Sequence, residues 1–173
     1  MNKKIMYIIT ILSTAVLLFL DQIAKYLAVL HLKGQAAIPI IKNVFELQYL
    51  ENQGAAFGIM QGKKTFFVIG TLIFLVIVVI LYHNIPLTKR FTPIRIVAVL
   101  ILAGAIGNMI DRVVHQYVID FFYFKLINFP IFNVADIYVV VACILFILLM
   151  LFYYKEEELG QIFPFMKSKK AEE

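Results

Sequence analysis

The sequence predicts an α-helical integral membrane protein, with four transmembrane helices, a small strand-bearing cradle outside the membrane and a short interfacial segment. Three observations carry that prediction. Apolar residues make up 62% of the 173-residue chain and charged residues only 16%, whereas soluble domains average about 45–50% apolar. Four apolar runs approach the ~20 residues that span a bilayer as a helix. Between the first two runs lies a stretch with the period-two alternation of a strand. A soluble core could not hide so much apolar surface, and the same composition excludes disorder.

The first run, Ile5 to Leu20, follows Lys3 and Lys4 and ends at Asp21, with a weaker helical pattern continuing to Leu32. No small-residue A-x-A site follows it, so it reads as an uncleaved span over about 5–25 and not as a secretory signal. Residues 33–64 form the cradle: Val44-Phe45-Glu46-Leu47-Gln48-Tyr49 alternates apolar and polar before a glycine-containing turn. The remaining runs predict spans over about 66–83, 95–112 and 135–154, all in a single membrane domain. Between the last two, Phe121, Phe122, Tyr123, Phe124 and Phe129 give the aromatic enrichment of a membrane interface, where a short helix lying flat is expected. The tail, 155–173, begins with Lys155 and Glu156 to Glu158, followed by a basic cluster, and reads as a solvated cytoplasmic end.

The net charge of +5 comes from basic clusters beside the apolar runs and follows no continuous face, which fits anionic lipid headgroups and not nucleic acid. Lys3 and Lys4, then Lys89, Arg90 and Arg95, then Lys155, Lys167, Lys169 and Lys170 fall on one side of a four-span arrangement. By the positive-inside tendency both termini are cytoplasmic. Cys143, the single cysteine, sits in an apolar run without an intrachain partner and is expected to pack as a small apolar side chain.

Reactive groups are few. Serine occurs only at Ser13, inside the first span, and Ser168, in the tail, and His31, His83 and His115 lack any metal-ligand spacing. No metal and no cofactor is expected. Aspartate remains: Asp21, Asp111, Asp120 and Asp136 all fall at or near the same end of a span. Ionisable groups at membrane depth are costly and face a bundle interior or a wet cavity, so four at one level form a candidate site. Asn108 with Asp111, Asn133 with Asp136, and Asp21 with Lys25 each share a helix face by spacing, and Gly104 and Gly107 let another helix approach the same stripe. Any one pair alone reads as a polar clamp between helices. Two neighbouring carboxylates cannot both ionise easily, so they share a proton, and one can deprotonate water while the other protonates a peptide carbonyl or leaving nitrogen. Spacing does not choose which two. A small proton-coupled transporter using the same aspartates is the alternative, although a proton relay would spread its carboxylates across the bilayer.

Five blocks complete the picture: Asp21-Gln22-Ile23-Ala24-Lys25; Asn52-Gln53-Gly54-Ala55-Ala56-Phe57-Gly58; Gly104 through Arg112; Val118-Ile119-Asp120-Phe121; and Phe132-Asn133-Val134-Ala135-Asp136. In this order, and at these positions relative to four spans, they resemble the lipoprotein signal peptidases (signal peptidase II). That resemblance implies a metal-independent aspartyl endopeptidase of the bacterial cytoplasmic membrane, which removes the signal peptide from lipid-modified prolipoproteins by cutting before the diacylglyceryl-modified cysteine. It implies Asp120 and Asp136 as the catalytic dyad. Asn52, Gly54, Asn108, Arg112 and Asn133 match positions around the substrate, and Asp21, Lys25 and Asp111 support the site. Arg112, beside Asp111, is expected to hold that carboxylate ionised or to meet lipid or peptide backbone. The partners are prolipoprotein substrates and membrane lipids, the site lies near the outer face, and a monomer is expected. Ala103 and Ala24 depart from residues common in the family, at positions that touch helix packing and not the dyad.

Overall fold

The computed structural model describes residues 2–54 and 64–163. Four helices are long and apolar enough to cross a membrane: α1 (Lys3–Leu32), α2 (Lys64–Asn84), α3 (Thr92–Val114, entered through a 3-10 turn at Lys89–Phe91) and α4 (Val134–Leu148, continued by a π turn at Leu149–Tyr153). A short fifth helix, α5 (Glu156–Ile162), follows. Three strands, β1 (Ile38–Ile41), β2 (Phe45–Asn52) and β3 (Val118–Tyr123), form one antiparallel sheet in the order β1-β2-β3.

Helix α1 starts where the Asn2 side chain accepts from the Lys4 backbone N–H at 3.0 Å. It ends just before Gly34, whose φ of +73° takes the chain into the sheet. Helix α2 buries only Tyr82; its remaining apolar surface has lipid as its natural solvent. Helix α3 is central, packing on α1, α2 and α4. It admits α4 at Gly104, where a Cβ would lie 2.5 Å from the Ala135 carbonyl oxygen and 2.7 Å from Val139 Cγ2. The glycine stripe seen in the sequence therefore does what its spacing predicts.

The segment after α3 begins as a strand, and where a flat helix was expected from its aromatics only a 3-10 turn at Lys125–Ile127, with Leu126 and Ile127 exposed, is helical. Val118 to Tyr123 is a run of β-branched and aromatic residues, and it finds an open edge on β2, pairing Asn52 with Val118 and Leu50 with Asp120. Alternation along β3 turns Ile119 and Phe121 onto Ala28 and Leu32 of α1. The opposite face carries Val118 and Asp120. A further bridge joins Phe122 to Phe132, with Phe132 N–H donating to the Phe122 carbonyl at 3.0 Å.

Two other expectations change. Cys143 is exposed on the surface of α4 and is not packed inside. The described part of the tail is only partly solvated: Lys155, Glu156 and Glu157 are exposed, but Leu159, Ile162 and Phe163 are buried with Met6, Tyr82, Phe91 and Ile94 in the apolar core at the end of the bundle opposite the sheet. Glu158 anchors α5 there through a 2.8 Å ion pair with Arg90, whose guanidinium lies 3.8 Å from the centre of the Tyr153 ring. Charge counting alone missed the apolar residues interleaved between the glutamates and the last lysines.

The packing at Gly104 gives a direct contrast. Gly104→Ala should destabilise the bundle by roughly 1–3 kcal/mol through overpacking. Gly70→Ala, where nothing lies within 4 Å of a new Cβ, should be neutral or stabilising by up to about 1 kcal/mol. Thermal unfolding of both variants in detergent checks the pair, and equal effects would contradict the packing described.

Candidate active site

Five segments deliver polar side chains to the sheet end of the bundle. Asp21 and Lys25 come from α1, Asn108, Asp111 and Arg112 from α3, Asp120 from β3, and Asn133 and Asp136 from the start of α4. Asn52, at the end of β2, completes the set, with Gly54 just beyond it. Asp21, Lys25, Asp111, Asp120 and Asn133 are each at most 1% exposed, so every charge among them needs a partner.

The four aspartates separate into two unlike pairs. In the first, the Lys25 ammonium lies 3.0 Å from Asp21 Oδ2 and 2.8 Å from Asp111 Oδ2. The carboxylates are held from their other sides too. The Ala135 backbone N–H donates to Asp21 Oδ1 at 2.9 Å and the Ile119 N–H to Asp111 Oδ2 at 3.2 Å. Gln22 Nε2 donates to both acids at 3.1 Å. Lys25, Asp21 and Asp111 thus tie α1, α3, α4 and β3 together as an ion-paired strut. Gly107 makes room for it, because a Cβ there would lie 2.6 Å from Asp21 Oδ2.

Among the described residues the second pair has no cation between its members; it is cradled by asparagines. Asp120 Oδ1 accepts from Asn133 Nδ2 at 2.6 Å and Oδ2 from Asn52 Nδ2 at 2.9 Å. Asn52 reaches Asp120 diagonally across the β2–β3 ladder, because the register sets Asn52 opposite Val118, two residues from Asp120. Asp136 Oδ1 accepts from Asn108 Nδ2 at 2.8 Å, and Oδ2 from the Asn133 backbone N–H at 3.1 Å. Asn133 is the N-cap of α4, with its Oδ1 accepting from the Asp136 N–H at 3.0 Å, which closes a capping box. One residue therefore holds Asp136 by its backbone and Asp120 by its side chain, and the Phe122–Phe132 bridge keeps it next to β3.

Both carboxylates line a cavity of about 590 Å³ that continues past Asn108 and Arg112 to Thr71 of α2, Ala105 of α3 and Val140 of α4. Its polar floor lies at the sheet end, and its walls become apolar along the helices. Burial, reinforced by the Asp136 charge, raises Asp120 to about 7, against the lowering effect of its Asn52 and Asn133 hydrogen bonds and of Lys25.

Arg112 does not hold Asp111, as its sequence position suggested. Its guanidinium donates to the Gly54 carbonyl at 3.2 Å and the Asn108 carbonyl at 3.3 Å and lies 4.8 Å from the centre of the Phe67 ring; Lys25, from another helix, has taken the acid. Gln22 was not among the expected site residues, and its signal was a polar amide beside Asp21 in an otherwise apolar run. The rest of the glycine turn, Ala55 to Gly58, lies outside the described residues.

The comparisons with known proteins agree with one another. The family model for signal peptidase (SPase) II matches residues 13–152. The lipoprotein signal peptidase of Caldanaerobacter subterraneus subsp. tengcongensis is 45% identical over 136 residues, covering 78% of this chain and 90% of the relative. That of Streptococcus pyogenes serotype M5 is 38% identical over 150 residues, covering 87% and 95%. Two solved structures, each described as a bacterial membrane enzyme studied by the in meso method, superpose with TM-scores of 0.73 and 0.71 at 33% and 32% identity. The first match covers 82% of this chain and 87% of the solved one, the second 84% and 94%.

The state of Asp120 has a measurable consequence. The unfolded chain releases this proton near the ordinary 3.8, whereas the folded protein keeps it to about 7. Through that window the folded state holds a proton the unfolded chain has lost, so stability falls as pH rises, by on the order of 4 kcal/mol in all. Asp120→Asn removes that slope. Unfolding in detergent between pH ~4 and ~7 should show the parent losing stability relative to the variant, and parallel curves would contradict the assignment.

Proposed function

The chain belongs to the signal peptidase II family, and from that premise and the two unlike carboxylate pairs we propose that it cleaves prolipoproteins with Asp120 and Asp136 as an aspartyl dyad. The observation that carries this reading is the division of labour among the acids. Asp21 and Asp111 are neutralised by Lys25, whereas Asp120 and Asp136 have, among the described residues, only neutral donors at their oxygens and line the cavity. An acid whose charge is cancelled is a strut; two acids without a cation between them share a proton.

With the shared proton on Asp120, Asp136 is left as the base. It takes a proton from a water molecule as the water oxygen bonds to the scissile carbonyl carbon, while Asp120 gives its proton to the carbonyl oxygen. The resulting gem-diol is neutral. On its collapse Asp120 takes back a hydroxyl proton and Asp136 delivers one to the departing nitrogen. The C–N bond breaks, leaving a carboxyl group on the signal peptide and a free amine on the lipid-bearing cysteine. No side-chain nucleophile is needed.

The cavity's shape supports a substrate that stays in the bilayer. Its apolar arm along Thr71, Ala105 and Val140 suits a signal-peptide helix or acyl chains, and its polar end with Asn52, Asn108 and Arg112 suits the peptide backbone near the scissile bond. Arg112, half-buried and held by the Gly54 and Asn108 carbonyls, is the group we assign to the backbone carbonyls of the substrate. In this reading the sheet end faces outward, both termini are cytoplasmic, and one chain supplies every group the reaction needs.

The purified protein in detergent, given a diacylglyceryl-cysteine precursor with a chelator present, should cut just before the modified cysteine. Asp120→Asn and Asp136→Asn should fold and lose activity by at least about 10²–10⁴-fold. An active Asp136→Asn variant would overturn the dyad, and a folded parent without activity would redirect attention to proton flux. The dyad also sets a pH dependence. Activity should decline as pH rises past about 7 and Asp120 loses its proton, and Asn52→Leu, by removing a donor that favours the carboxylate, should move that decline to higher pH. A pH profile of kcat for both proteins tests the direction.

A further inference from the structure

Lys25 does more in this network than cancel charge. Its ammonium has three hydrogens and no lone pair, and each hydrogen has an acceptor: Asp21 Oδ2 at 3.0 Å, Asp111 Oδ2 at 2.8 Å and Asn108 Oδ1 at 3.0 Å. The third contact bears on the dyad. The two ends of an asparagine amide have nearly the same shape, so what faces Asn108 determines which end points where. On its oxygen side stand two donors, Lys25 Nζ and, at 3.1 Å, Asn133 Nδ2. On its nitrogen side stands Asp136 Oδ1 at 2.8 Å.

Turning the amide over would set its N–H groups against the ammonium and against the Asn133 NH₂. It would also set its carbonyl oxygen against Asp136, an arrangement tolerated only with a proton fixed between them, which removes Asp136 as a base. Asn133, whose own oxygen is held by the Asp136 N–H, adds a neutral donor on the same side as the ammonium. Of the two donors on the oxygen side of the Asn108 amide, Lys25 is the charged one and has no acceptor to offer. The charged groups around this relay are Asp21 and Lys25 on α1, Asp111 and Arg112 on α3, Asp120 on β3 and Asp136 on α4.

We propose that Lys25, which touches neither member of the dyad, is a positioning residue that orients the Asn108 amide so that a donor always faces Asp136. This rests on the reading of Asp120 and Asp136 as the dyad. It deepens that reading by giving the ion-paired strut a second task, a one-way chain of donors from Lys25 through Asn108 to Asp136.

The test must separate orientation from charge balance. Lys25→Met combined with Asp111→Asn removes one cation and one anion, so the cluster keeps its net charge while Asn108 loses its ammonium. If the relay operates, the folded double variant loses kcat roughly 10–100-fold, the range for removing a group that orients a functional side chain, with KM little changed and the pH profile of kcat displaced. In an Asn108→Ala background, where no amide remains to be oriented, the same two changes should add less than about twofold. Parental kcat in the folded double variant, or a full multiplicative loss on Asn108→Ala, would overturn the proposal.

Should the double variant not fold, Asn108→Asp decides the matter. It keeps shape and strengthens the hold on Lys25 but turns an acceptor toward Asp136. The relay then predicts a loss of kcat that is partly regained as pH falls and a proton returns between the two acids, and a pH profile identical to the parent's would refute it. Asp120→Asn and Asp136→Asn, assayed alongside, keep the questions apart, because activity retained in those two sinks the dyad itself.

Discussion

The sheet end of this protein depends on one buried ion cluster, the Lys25 ammonium between Asp21 and Asp111. An unpaired ion at that depth costs several kcal/mol, and removing one member of a buried pair leaves the other exposed to that cost. Here the cluster is closed on every side: backbone N–H groups of Ala135 and Ile119 reach the two acids, and Gln22 bridges them. Those donors belong to the first turn of α4 and to β3, the two elements that carry Asp136 and Asp120. The cluster therefore ties down the two elements that carry the acids of the proposed dyad. The glycine at 107 exists in the same context, since any side chain there would displace Asp21.

Around that strut the chemistry is organised by neutral donors. Asparagine suits the task because its amide solvates a carboxylate without cancelling its charge. A lysine or arginine at position 133 or 52 would hold the acids ionised and end proton sharing. Asn133 joins the parts most economically, as N-cap, capping-box partner and side-chain donor at once. The cavity then brings an apolar arm and a polar floor to the same point, as a lipid-anchored peptide requires.

Much of the fold was legible in the sequence, for reasons that can be named. Apolar runs of spanning length mean helices in lipid, Val44 to Tyr49 alternates like the strand it joins, and Gly104 spaces α3 against α4. The aspartates were legible as a group because four acids at one depth are too costly to be incidental. Their division into a pair held by Lys25 and a pair cradled by asparagines was not legible from spacing, although the family resemblance implied different roles for the two pairs. Asp111 pairs with Lys25 across 86 residues of chain, and no local spacing reveals this, so its neighbour Arg112 seemed the natural partner. Strand β3 was missed because an aromatic-rich run beside a membrane reads equally as an interfacial segment until a partner edge is known. The apolar side of α5 was hidden by the charges around it. In each case the missing information was tertiary: which distant edge, ion or core a segment would meet.

The proposed dyad keeps one proton, on Asp120, until the pH rises through about 7. Infrared difference spectroscopy across a titration through about pH 7 measures this directly, through the carbonyl stretch of a protonated carboxyl group. A band should disappear as pH rises through that value, be absent from Asp120→Asn and persist in Asp111→Asn. A band that vanished with Asp21 or Asp111 instead, or no titrating band at all, would contradict it.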